Sequence, residues 1–196
     1  MDHYAELRDF IQFMDALVSP RAAVDETVMA VKERLTELIR RRPSLPEAAR
    51  ALKTDGYARH LLYQDPAERY EMIVMAWSPG QSTPVHDHSG IWCVEGVLEG
   101  VIDVTRFDLT GMEGSRARML QTEVIHAGLG QCGALIPPLE YHRIANPYER
   151  AAYSLHVYGG RMSSCRVFTP SGDGVYDVAV RPLGYSSPAQ ALPPSS

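Results

Sequence analysis

Several things are scarce in this sequence, and each scarcity removes a class of function. Cysteine is scarce: the 3 present, Cys93, Cys132 and Cys165, form an odd set with no CxxC spacing. That supports neither a disulfide framework nor a cysteine-based structural zinc site. Cationic excess is missing, since 19 Lys and Arg stand against 24 Asp and Glu for a formal charge of −5. Nucleic acid is therefore not an expected partner. No apolar run reaches the length that a bilayer-spanning helix requires. The opening MDHYAELRDF also lacks the basic-then-apolar layout of a secretory leader. No membrane partner is expected, and a reducing cytoplasm is the expected compartment.

What is present suits one domain with a sizeable core: 196 residues, 45% of them hydrophobic. Phe10, Ile11, Met14 and Leu17 recur at helical spacing, as do Val28, Val31, Leu35, Leu38 and Ile39. Ser44 and Glu47, with Pro46 between them, form a capping-box pattern that predicts a short third helix to about Leu52. Residues 1–55 thus read as a helical segment. From Tyr57 the texture changes to short β-rich runs split by turn residues, among them RYEMIVMAW, WCVEGVLEG and YSLHVYGG. Over 56–185 such spacing predicts a closed or two-layered β architecture: a sandwich, a barrel or a jelly roll. The Pro- and Ser-rich stretch 186–196 reads as a flexible tail.

The chemistry concentrates in histidines. His86 and His88 flank Asp87, and on a strand residues two apart share a face, so both imidazoles can converge on one metal. His142 is a third candidate. Taken without context, an HxH pair reads equally well as two surface histidines. Here Gly80 lies six before His86, and Gly100 sits at a turn. The pattern resembles the first motif of the cupin superfamily, G-x5-HxH-x4-E-x6-G, with Cys93 in the Glu position. The stretch Pro137 to Asn146 resembles the second, P-x-G-x-x-H-x3-N, with Leu139 in place of Gly. The implied fold is mainly β, a cupin-type β-barrel or jelly roll preceded by α-helices. Three neutral imidazoles leave a divalent cation uncompensated, which favours an anionic ligand such as a thiolate. One Fe(II) per chain is the expected cofactor, although imidazole ligation alone also fits zinc.

Cysteine in place of the cupin Glu resembles the cysteine dioxygenase family, and further motifs agree. Ser154, His156 and Tyr158 alternate in SLHVY on one strand face, similar to that family's Ser-His-Tyr relay. Tyr57-Ala58-Arg59 resembles its Tyr-x-Arg, in which the arginine clamps a substrate carboxylate. The resemblance implies that His86, His88 and His142 hold iron and that Ser154, His156 and Tyr158 form the relay. It implies too that Arg59 and Tyr57 bind substrate and that a Cys93–Tyr158 thioether can form. Ordinary roles stand beside these: a solvated strand charge for Arg59, a core tyrosine for Tyr158, a satisfied buried histidine for His156, a small buried hydrophobe for Cys93.

The implied activity is oxidation of a small carboxylated thiol by O2, L-cysteine to its sulfinate first. Arg166 near the second arginine of a related branch keeps 3-mercaptopropionate and mercaptosuccinate open as substrates. A cupin of another reaction class, or one that binds metal or ligand without catalysis, are the remaining alternatives. A monomer or weak homo-oligomer is expected.

Overall fold

Two amphipathic helices open the chain in the computed structural model, which describes residues 2–19, 22–138, 140–187 and 191–192. Helix α1 (Ala5–Leu17) buries Leu7, Phe10, Ile11 and Met14; α2 (Val24–Arg40) buries Val28, Val31, Leu35, Leu38 and Ile39. Both sets follow the three-four spacing of one helical face. The predicted third helix is only a 3-10 turn, Glu47–Arg50, entered from Pro46 with no side-chain cap bond. Tertiary contacts set its geometry instead of the Ser44–Glu47 box: Ala51 O meets His60 Nε2 at 2.7 Å, and Arg50 reaches Glu99 at 2.6 Å.

Eleven strands follow: β1 (Ala58–Gln64), β2 (Glu71–Trp77), β3 (Val85–His86), β4 (Cys93–Glu99), β5 (Val101–Glu113), β6 (Arg116–Gly128), β7 (Cys132–Leu135), β8 (His142–Ala145), β9 (Ala152–Tyr158), β10 (Ser164–Gly172) and β11 (Val175–Pro182). They form a five-stranded sheet ordered β1-β2-β9-β4-β7 and a closed set β10-β11-β6-β5-β8-β3. The mainly β architecture with N-terminal helices is thus the one observed. Every residue of β2 and β9 is buried because both faces of their sheet are covered. Met72, Val74, Val94, Leu155 and Val157 pack against the helices, and Ile73, Met75, Cys93, Val97 and Tyr158 fill the interior. Trp92 belongs to the helix side, where it lies over Gly159.

The free edge of β1 is covered where 186–192 is described. Ser186 N donates to Arg59 O at 2.7 Å, and Ala191 N donates to Leu61 O at 2.7 Å. Such pairing blunts an edge strand. Residues 188–190 and 193–196 of the expected tail, and Leu139 of the second histidine motif, lie outside the described residues. No described helix is long and apolar enough to cross a membrane.

Two features yield measurable expectations. A Cβ on Gly96 would sit 2.5 Å from both Cys132 Sγ and Ile39 Cδ1, so the approach of α2 to β4 needs glycine there. Gly96→Val should lower stability by about 1–3 kcal/mol, seen as a lower urea midpoint; an unchanged midpoint would refute this packing. Arg69 ties α1 to the β1–β2 turn, donating to Asp65 Oδ2 at 2.8 Å and to Asp15 Oδ1 at 3.0 Å. Its hydrogen bond holds the buried Asp65 carboxyl below the ordinary carboxylate range. A depressed folded value means the stabilisation is whole above the unfolded value of about 4 and fades as pH falls through the folded one. Asp65→Asn should therefore weaken the protein at neutral pH and shallow its acid-side loss of stability, measured by urea titrations between acid and neutral pH.

Candidate active site

The histidine motif is held by its neighbours more than by its own short strand. His86 in β3 pairs directly with His142 in β8. Asp87 turns the other way: its Oδ1 accepts from Arg166 N at 2.7 Å and its Oδ2 from Arg166 Nε at 2.5 Å. Glu140 Oε2 accepts from His88 N at 2.9 Å. Two buried carboxylates thus fix the backbone so that both imidazoles point inward. Ring centroids of His86, His88 and His142 lie 4.7–5.3 Å apart, and one nitrogen of each falls within 4.8 Å of the others.

The arrangement fits a divalent cation. Both ring nitrogens of His88 and of His142 are buried without a hydrogen-bond partner among the described residues, a costly state for polar atoms. His86 Nδ1 stands 3.1 Å from Pro84 O, which leaves its Nε2 free. Burial, reinforced by His142, pushes His86 down to about 3 and His88 well below the usual histidine value. Both rings therefore offer neutral lone pairs, the state in which imidazole ligates a metal.

Strand β9 lies beside this cluster and brings Ser154, His156 and Tyr158 onto one face, as period two requires. Trp77 Nε1 donates to Ser154 Oγ at 3.0 Å, and Ser154 Oγ meets His156 Nε2 at 2.8 Å. The expected link from His156 to Tyr158 is not made among the described residues. The two rings stack instead, with centroids 6.1 Å apart, and His156 Nδ1 faces Glu95 Oε2 at 3.2 Å. Tyr158 stands opposite Cys93 across the β4–β9 register. Burial raises both the Cys93 thiol and the Tyr158 hydroxyl well above their ordinary values.

Glu95 is the residue that the motifs hid. Cys93 occupies the cupin Glu position, yet one alternation further along β4 a buried carboxylate enters the same interior, its Oε1 3.6 Å from His142 Nδ1. The uncompensated three-imidazole site expected from sequence thus has a carboxylate close behind it. Although burial works against ionisation, His142 and His156 hold the Glu95 carboxyl well below the usual range.

A cavity of about 20 Å³ opens beside the cluster, lined among others by Tyr57, Arg59, His86, His142, His156 and Tyr158. Arg59 is 5% exposed; its Nη1 donates to Gly184 O at 3.1 Å, and its Nη2 is buried with no partner among the described residues. Tyr57 stacks on Trp77 at 4.9 Å. Arg166, expected near substrate, is engaged elsewhere. Alternation along β10 turns it away from the interior face of Cys165 and Val167, towards Asp87. The second arginine lining the cavity is Arg181 of β11, in register with Cys165. His60 is structural, bonded to Ser187 and Ala51.

The profile of a family described as cysteine dioxygenase type I matches residues 8–171. The chain is 28% identical over 119 residues to cysteine dioxygenase type 1 of Danio rerio, an alignment covering 57% of this chain and 55% of the relative. It is 24% identical over 113 residues to cysteine dioxygenase type 1 of Homo sapiens, again covering 57% and 55%. The chain thus spans about half the length of the curated relatives it matches. A solved structure from Thermus thermophilus aligns at 24% identity and a TM-score of 0.45, over 57% of this chain and 90% of that one. A Cupin_2 domain of a transcriptional regulator from Enterobacter cloacae aligns at 13% identity and a TM-score of 0.41, over 54% of this chain and 98% of that one.

The placement of Arg166 carries its own expectation. Arg166→Met leaves Asp87 buried without its cation and should lower stability by about 1–3 kcal/mol, read as a fall in melting temperature. An unchanged melting temperature would show that Asp87 finds its partners elsewhere.

Proposed function

Because this chain belongs to the cysteine dioxygenase type I family, we propose that it is a thiol dioxygenase that holds one Fe(II) on His86, His88 and His142. It would oxidise a small carboxylated thiol, L-cysteine first, to the sulfinate. One observation carries the reading: a buried guanidinium nitrogen of Arg59, with no partner among the described residues, lines the same cavity as imidazole nitrogens that also have none there.

Each residue has a task in that reaction. Arg59 offers one edge of a planar fork to a carboxylate, and the pairing relieves a buried donor that has no partner among the described residues. Its Nη1 bond to Gly184 O fixes the plane of the fork. Tyr158 closes the cavity beside His88, ring centroids 5.7 Å apart, with its hydroxyl kept protonated by burial and able to donate to the carboxylate or to oxygen. Held this way, the thiol sulfur is directed at the three imidazoles, which is the orientation term in catalysis. Fe(II) bound there would supply open coordination positions and electron transfer toward O2. The balance is RSH + O2 → RSO2H: both oxygen atoms go to sulfur, which gives up four electrons, so no external reductant enters.

Arg181 at the cavity mouth favours a second reading of the substrate, a dicarboxylic thiol such as mercaptosuccinate, with 3-mercaptopropionate as the simpler competitor. The opposed Cys93 and Tyr158 make a thioether possible; an intact mass lower by two hydrogens would reveal it. We place the protein in the cytoplasm, as a monomer or weak homo-oligomer, with no nucleic-acid or membrane partner.

Loaded anaerobically with Fe(II), the protein should consume O2 with L-cysteine and form sulfinate one-to-one. Iron-filled protein inert to every carboxylated thiol would point instead to another cupin reaction or to binding without catalysis. Arg59→Ala should raise KM for L-cysteine roughly 10- to 100-fold, the loss of a charge-assisted pair, and raise it much less for cysteamine. Equal effects on both thiols would remove Arg59 as the carboxylate clamp.

A further inference from the structure

The polar line that starts at Trp77 has a direction. An indole N–H only donates, so Ser154 Oγ accepts from Trp77 at 3.0 Å. The Ser154 hydroxyl hydrogen is then free for His156 Nε2, 2.8 Å away. A neutral imidazole that accepts at Nε2 carries its proton on Nδ1. That nitrogen stands 3.2 Å from Glu95 Oε2, and the other carboxylate oxygen stands 3.6 Å from His142 Nδ1. Glu95 is 6% exposed, and its ion-pair partners among the described residues are these two imidazoles, with no Lys or Arg. A carboxylate in so dry a place is costly, and the adjoining inward positions of β4 hold Cys93 and Val97 without charge.

We propose that Glu95 is a positioning residue of the metal site. Its carboxylate takes the Nδ1–H of His142, leaving Nε2 to face His86 and His88. It also returns one negative charge to a set of three neutral ligands. Ser154 and His156 hold Glu95 in that orientation, so the relay serves His142 and not Tyr158. The inference rests on the metal-binding reading above and concerns a residue outside the histidine motifs. At 3.6 Å the contact to His142 is longer than a hydrogen bond, and Glu95 Oε2 and His156 Nδ1 stand within reach at 3.2 Å without the alignment of one; closing both requires a small shift of the Glu95 carboxylate.

The far side of Glu95 supplies a way to test this. With Ser154 it floors a separate, open cavity of about 320 Å³, walled by Val97, Ile102, Val104 and Ile125. A small anion can therefore approach the place of the carboxylate without passing through the substrate cavity.

Fe(II) affinity would be measured anaerobically by competition with a chelator for the wild type, Glu95→Gln, Glu95→Ala and His88→Ala. Glu95→Gln and Glu95→Ala should bind roughly 10- to 100-fold more weakly, the usual effect of losing a carboxylate behind a ligating histidine. Formate should restore part of the affinity of Glu95→Ala and leave the wild type unchanged. Long-range proton–nitrogen NMR of the Zn(II)-loaded wild type should show His142 protonated at Nδ1 and ligated through Nε2, a readout that stands even if a variant fails to fold. Unchanged affinity in Glu95→Gln, or ligation of His142 through Nδ1, would overturn the role of Glu95 while leaving the metal site intact. A wild type that binds no metal, or a His88→Ala variant that binds as tightly as wild type, would overturn the metal reading and this inference with it.

Discussion

Everything in this molecule depends on one sheet being covered on both faces. Strands β2, β9 and β4 are buried front and back, so alternation divides their residues into two populations with different work. Val94, Gly96, Leu155 and Val157 turn to the helices, where only packing matters. Cys93, Glu95, Ser154, His156 and Tyr158 turn to the interior, beside the histidine cluster. A slip of one residue in either strand would exchange the two sets. The helices matter to the chemistry for this reason: the apolar stripes of α1 and α2 hold the register of the strands that carry the polar groups.

The interior concentrates polar atoms that satisfy one another incompletely. Asp87 and Glu140 are spent on backbone and on Arg166. Both nitrogens of His88 and one edge of Arg59 have no partner among the described residues, and His142 Nδ1 has Glu95 no nearer than 3.6 Å. Ordinary folding removes such groups or pairs them. Their survival at the same cavity is the physical basis for reading a cation at one end and an anion at the other, joined by a short molecule.

The part of this site that follows from local alternation was legible in the sequence, the Ser154–His156–Tyr158 face of β9; His86 and His88 were legible as a motif, although β3 ends at His86 and neighbouring carboxylates aim the pair. The parts that depend on which strand lies opposite were not. Arg166 was the arginine expected from the sequence; the β10–β11 register, which places Arg181 across from Cys165, brings Arg181 to the cavity instead. Glu95 obeys period two with Cys93, and attention to the motif position concealed it. The Ser44–Glu47 pattern predicted a cap that contacts around Arg50 and Ala51 override. The helices themselves carried a clear signal in Phe10, Ile11 and Met14, and in Val31, Leu35 and Ile39, because a long amphipathic stripe needs no partner to be recognised.

Arg59 takes its orientation from outside the barrel. Its Nη1 is held by the carbonyl of Gly184, and its backbone N–H and carbonyl are both matched by Ser186, while a few residues further on Leu192 is seated among the side chains of the helices. Substitutions along 184–192 can therefore re-aim the guanidinium without touching the cavity wall. The direction of that guanidinium can thus drift while the histidines stay fixed.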